Sequence, residues 1–88
     1  MTHQVRLASS AVRDLDRISP KVVPAIVEFM FGELAASPRR VGRPLRGELE
    51  GYFGARRGPY RIVYSIQDES VTIEVIRVDH RSDVYRSR

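Results

Sequence analysis

The residues able to do chemistry crowd into two segments of this 88-residue chain. The middle reads Arg56-Arg57-Gly58-Pro59-Tyr60-Arg61-Ile62-Val63-Tyr64, and the last third ends in His80-Arg81-Ser82-Asp83-Val84-Tyr85. Guanidinium groups, an imidazole and a phenol are thereby expected on one small sheet. There is no cysteine and no carboxylate cluster spaced for a metal, so neither thiolate chemistry nor a metal or other cofactor is expected. A guanidinium-rich site with one or two titratable rings suits a phosphodiester better than a peptide or a sugar.

Cutting RNA without a metal requires a base for the 2′-hydroxyl proton, cations to stabilise the phosphorane, and an acid for the departing 5′-oxygen. Arginine suits the second task, because its fork matches two phosphate oxygens and it stays charged. Arg61, Arg56 and Arg81 are the candidates. His80 titrates near neutrality and is a candidate base or acid. A phenol with a reference pKa of about 10 is a poor base unless neighbouring arginines favour its ionised form, and on that condition Tyr85 is a candidate. Each residue has a plainer reading beside this one. Arginines on sheet rims are commonly just solvated. Tyr60 and Tyr64 read as core rather than catalytic, and Arg57, beside a turn, as exposed or in loose phosphate contact. Arg6, Arg13 and Arg17 fit a solvated face paired with Asp14 and Asp16. Arg77 is placed to close the sheet edge through an ion pair. Asp83 is suited to orient Arg81 or His80, or to cap the tail, and His3 is given no role.

The elements that must position these groups follow from periodicity. Val5 to Ala8 is a short first strand. Ala8, Ala11, Leu15 and Ile18 recur at helical spacing, which predicts a helix over 10–18 with Ser9 or Ser10 as its cap. Ser19-Pro20 is a start signal for a second helix marked by Val23, Ile26, Val27, Met30 and Leu34, running to about Ala36. Residues 38–50 read as a loop punctuated by Pro38, Gly42, Pro44 and Gly47. Tyr52–Arg57 and Tyr60–Ile66 read as strands joined by Gly58-Pro59 in a type II′ turn. Val71–Val78 reads as a central strand. The order β-α-α-β-β-β predicts an α+β domain spanning 1–88, a helical hairpin packed on a four-stranded antiparallel sheet. The helices should cover the Tyr60/Ile62/Tyr64 face. The opposite face should carry Arg61 and Arg56, flanked by the Arg39–Arg46 loop.

Charge supports an anionic partner. The chain has 15 basic against 11 acidic residues, and Lys21 is the only lysine. Seven arginines lie between positions 39 and 61 against Glu48 and Glu50, and four more follow from Arg77 against Asp79 and Asp83. The first 38 residues are nearly balanced, so the positive field belongs to the middle and the C-terminus. The N-terminus has no apolar run of signal length and no stretch is long enough to span a bilayer, which predicts a cytoplasmic protein without membrane contact.

The segment GYFGARRGPYRIVYSI, followed after one strand by VIRVDHRSDVY, resembles the RelE branch of the RelE/ParE toxins of bacterial type II toxin–antitoxin systems. RDLDRIS in the first helix and PLRGELEGYF before the second strand agree, and the arginine-for-lysine bias is most like mycobacterial members. The resemblance implies a ribosome-dependent endoribonuclease, an mRNA interferase that cuts mRNA in the A site by metal-free 2′-hydroxyl attack. It implies neutralisation by a RelB-like antitoxin, and contact with operator DNA only through the toxin–antitoxin complex. It assigns phosphate stabilisation to Arg61, a basic role to Arg56, an acid or phosphate-ligand role to Arg81, and the base to Tyr85. His80 stands where relatives carry lysine or histidine. Arg43, Arg46 and Arg57 are expected to contact RNA. Many relatives have a second basic residue two positions before Arg56, where this chain has Gly54, so one fewer cation at the phosphate is expected either to cost rate or to be made good by Arg57 or Arg46. The sequence ends soon after Tyr85, so the longer C-terminal helix that antitoxins displace in some relatives is not expected. ParE-like inhibition of DNA gyrase, and a weak toxin acting mainly as operon corepressor, are the competing readings.

Overall fold

The computed structural model describes residues 2–80, so the candidates Arg81 and Tyr85 lie outside the described residues. The chain runs β1 (Gln4–Leu7), α1 (Ser9–Asp16), α2 (Val23–Phe29), α3 (Pro38–Val41), β2 (Arg43–Pro44), β3 (Phe53–Arg57), β4 (Tyr60–Gln67) and β5 (Thr72–His80). The strands form one sheet in the order β1-β5-β4-β3-β2.

The α+β architecture is the expected one, with two differences in the sheet. The loop expected at 38–50 contributes one helical turn and a two-residue edge strand, β2, making five strands rather than four. β1 pairs with β5 in parallel, whereas β2 to β5 are antiparallel neighbours. After β1 the helical hairpin carries the chain across the sheet face, so β1 takes the open edge of β5 running the same way.

β1 covers only Thr72–Val75 of that edge. α1 supplies partners for the rest. The Ser10 hydroxyl donates to the Ile76 carbonyl at 2.5 Å, and the Asp14 carboxylate accepts the Val78 amide at 2.8 Å. Unpaired edge groups are costly when buried, which explains two polar side chains on the sheet-facing side of α1. Ser10 is therefore an edge partner and not the helix cap: α1 starts from Ala8 with no side-chain cap bond.

The second helix starts later than expected and is not uniform. Ser19 closes a turn by accepting Val22 and Val23 amides through its carbonyl, and α2 begins at Val23 with Pro24 in its first turn, where a missing amide hydrogen costs least. From Met30 to Leu34 it widens into a π-turn that keeps Met30 and Leu34 buried and leaves Phe31 53% exposed.

Ile26, Phe29, Met30 and Leu34 pack on Ala55, Ile62, Tyr64, Ile73, Val75 and Val78. Each large aliphatic buried this way contributes about 1.5–3 kcal/mol. Tyr64 is fully buried, and its hydroxyl donates to the Pro38 carbonyl at 2.6 Å. Its core role matches expectation, and burial pushes its phenol up to about 12. Gly58, with φ of 60°, precedes Pro59, whose ring holds φ negative; that pair of signs is the type II′ turn expected between β3 and β4.

Between Val63 and Tyr64 the pairing of β4 with β5 slips, Val63 facing Arg77 and Tyr64 facing Val75, so Ile76 is an extra residue. The bulge reverses the alternation of β5 beyond it. Val78 (3% exposed) turns toward the helices, and Arg77 and Asp79 turn to the open face.

Candidate phosphate-binding site

The open face of the sheet is built by register. Arg56 and Arg61 stand directly opposite one another on β3 and β4, and Arg43 on β2 stands opposite Gly54. Directly paired residues share a face, so Arg43, Gly54, Arg56 and Arg61 lie together. They line a hollow of about 470 Å³ with Val41 and Leu45, and among the described residues no carboxylate lines it.

Like charges directly opposed across an antiparallel pair are destabilising. The Arg56–Arg61 pairing is therefore a local cost to the sheet. Arg61 is half-buried, and its Nε is enclosed without a hydrogen-bond partner among the described residues. A cationic hollow with an unsatisfied guanidinium donor is suited to an anion with several acceptor oxygens.

Gly54 has a structural reason. A Cβ there would lie 3.1 Å from Leu45 Cδ2 and 3.5 Å from Arg61 Cδ. The absent side chain lets Leu45 and the Arg61 stem pack over the strand. The missing cation expected at this position has a neighbour in Arg43, directly across the β2–β3 pair. Arg57 and Arg46 do not fill that gap. Arg57 alternates to the helix-covered face, with its guanidinium 6.0 Å from the centroid of the Phe29 ring. Arg46 is exposed just before the 3₁₀ turn Gly47–Leu49.

Other candidates are placed as follows. His80 pairs in register with Tyr60, the two rings 5.1 Å apart and edge-on, on the face opposite Arg61. It borders a separate hollow of about 520 Å³ that also takes in Asp14, Arg77 and Asp79. Arg39 is engaged elsewhere in a two-pronged pair with Asp68, at 3.0 and 2.9 Å. That pair holds the Arg39 guanidinium above, and the Asp68 carboxyl below, their ordinary ranges.

Arg77 closes the sheet edge through ion pairs, as its position suggested. Its Nε donates to Asp14 at 2.8 Å and its Nη2 lies 3.0 Å from Asp79. These carboxylates, Asp14 foremost, hold the Arg77 guanidinium above its ordinary range. Asp14 thus pairs with Arg77, and not with the α1 arginines. Sequence reasoning missed Asp79 as the cross-strand neighbour of Arg61. Only the bulge at Ile76 reveals that relation.

Fold and site together define a small α+β protein whose helical hairpin backs a sheet with an open, arginine-lined face. Comparison with known proteins agrees. Residues 5–85 match the family described as ParE toxin of type II toxin–antitoxin system, parDE. The chain is 52% identical to Toxin RelG of Mycobacterium tuberculosis over 86 residues, covering 98% of this chain and 99% of that protein. It is 46% identical to Toxin RelE of the same organism over 84 residues, covering 96% and 87%. The toxin–antitoxin complex RelBE2 from M. tuberculosis contains a chain that superposes with a TM-score of 0.88 at 51% identity, covering 92% of this chain and all of that one. Isolated RelE toxin of E. coli gives 0.72 at 26% identity, covering 96% and 92%. The chain belongs to the RelE/ParE toxins of type II toxin–antitoxin systems, in the RelE branch.

Proposed function

We propose that this toxin is a ribosome-dependent endoribonuclease that cuts mRNA in the A site by attack of a 2′-hydroxyl, without a metal, and so arrests translation. The observation that carries this reading is the Arg56–Arg61 opposition beside Arg43 in a hollow that no carboxylate of the described residues lines. Arg61 and Arg56 would stabilise the phosphorane oxygens, and Arg43 would hold an adjoining phosphate. Tyr85 and Arg81 remain the base and the acid or phosphate ligand by family position. The protein would act as one domain spanning 1–88, in the cytoplasm, restrained by a RelB-like antitoxin. The antitoxin in the RelBE2 complex supports that partner.

The test is primer extension on programmed ribosomes after adding purified toxin, with Arg61→Ala as control. Cuts within the A-site codon that vanish in the variant support the nuclease. The family description as ParE toxin favours one second reading, gyrase inhibition without catalysis. Gyrase-dependent DNA damage with intact mRNA would establish that reading instead.

A further inference from the structure

Arg43 reaches the hollow on a weak element. β2 is two residues long, lies at the sheet edge, and its second residue, Pro44, has no amide hydrogen to give to the ladder. So short a pairing leaves the strand open to local unfolding unless something else holds it. The turn before it, α3, is held from outside by the Arg39–Asp68 pair, which is exposed on both partners and so contributes little. From inside it is held by Tyr64. This buried phenol, on the helix-covered face of β4, donates to the Pro38 carbonyl at 2.6 Å. The same carbonyl accepts the Gly42 amide at 3.3 Å and so closes the turn one residue before Arg43. Gly42 is buried against the phenol: a Cβ there would run into the Tyr64 hydroxyl and come to 3.0 Å from the Gly54 carbonyl oxygen. The Tyr64 ring also stacks on Phe53, with centroids 5.8 Å apart, and Phe53 is the register partner of Pro44.

We propose that Tyr64 is a positioning residue for the phosphate site: its hydroxyl, through the Pro38 carbonyl and the close approach of Gly42, sets the backbone from which Arg43 extends into the hollow. The inference rests on the reading of that hollow as a phosphodiester site. Tyr64 lies on the other face of the sheet from Arg43, Arg56 and Arg61, so it acts on RNA only through β2. Removing the hydroxyl leaves the Pro38 carbonyl with the longer Gly42 bond and frees the turn to shift.

A double-mutant cycle on the intact toxin tests this, with Tyr64→Phe, Arg43→Ala and the pair together. Affinity for a short single-stranded RNA should fall by about three- to tenfold in Tyr64→Phe, and by less than about 1.5-fold when the same change is made in Arg43→Ala. Cleavage on programmed ribosomes should lose through KM, with kcat within about twofold, because Arg43 holds an adjoining phosphate and not the reacting one. Ile73→Val is the control. It trims the buried core at a stability cost similar to that of Tyr64→Phe, and its RNA affinity should stay within about 1.5-fold of wild type. In Tyr64→Phe, amide exchange should rise more at Gly42 than in the core strands β4 and β5, since a freed turn opens locally while core amides report global unfolding.

Unchanged RNA affinity in Tyr64→Phe would overturn the proposal. So would equal losses with and without Arg43, an equal loss in Ile73→Val, or exchange at Gly42 that rises no more than in the core, each of which would reduce Tyr64 to a general contributor to stability. If Arg43→Ala by itself binds RNA as wild type does, the reading of the hollow fails and the proposal falls with it. If wild-type toxin cuts no mRNA, the nuclease reading fails, while the RNA-affinity cycle still decides whether Tyr64 acts through Arg43.

Discussion

Replacing Asp14 should measure how much one buried carboxylate holds the sheet end in place. Asp14 is 8% exposed and accepts two bonds at 2.8 Å, from the Val78 amide and Arg77 Nε. In Asp14→Ala the Val78 amide loses its acceptor, and an unsatisfied buried donor costs about 1–3 kcal/mol. The Arg77 side chain is 49% exposed and retains Asp79, so the lost ion pair adds only about 1 kcal/mol after solvent screening. The expected loss is about 2–4 kcal/mol, set against roughly 4–13 kcal/mol for a domain of this size. That should lower Tm by about 8–32 °C. Asp14→Asn keeps a carbonyl for the Val78 amide and surrenders only the charge, so it should cost about half as much. Urea and thermal unfolding followed by circular dichroism decide the matter, with an unchanged m-value showing that the same structure is lost. A loss below about 0.5 kcal/mol in the alanine variant would refute the edge-anchoring argument. Equal damage from asparagine would show that the charge, rather than the amide bond, carries the effect.

Three further outcomes are expected. Gly42→Ala should cost about 3 kcal/mol or prevent folding, because its Cβ would run into the Tyr64 hydroxyl and come to 3.0 Å from the Gly54 carbonyl oxygen; a normal melting curve would contradict the packing around Tyr64. Tyr64→Phe should cost only about 1 kcal/mol at neutral pH, since the Pro38 carbonyl still accepts the Gly42 amide at 3.3 Å. The wild-type phenol holds its proton more tightly when folded, at about 12 against about 10 unfolded, so its contribution is complete below pH 10 and is lost as pH rises toward 12. The phenylalanine variant should lack that alkaline decline, and parallel declines would identify a different titrating group. Arg43→Ala should weaken binding to a short single-stranded RNA and reduce the slope of log affinity against log salt by about 0.7; an unchanged slope would remove Arg43 from the RNA interface.

Much of this protein was legible in its sequence because side-chain periodicity and turn chemistry are local. The alternation of Tyr60, Ile62 and Tyr64 against Arg61 placed the arginine on the open face, and helical spacing identified Ile26, Met30 and Leu34 as the buried stripe. Gly58-Pro59 specified its own turn, since only one hairpin type accepts positive φ followed by proline. The tertiary structure decided what depends on pairing between distant segments. The extra residue Ile76 reversed the facing of Arg77, Val78, Asp79 and His80, and so moved His80 away from Arg61 and set Asp79 beside it. Arg39 and Arg57, equal to Arg43 in composition, were taken by Asp68 and by the Phe29 ring. Arg43 joined the hollow only because a two-residue strand set it opposite Gly54. Composition put a positive field in the middle of the chain, but register selected which arginines share a face, because a shift of one residue turns every side chain to the other side of the sheet.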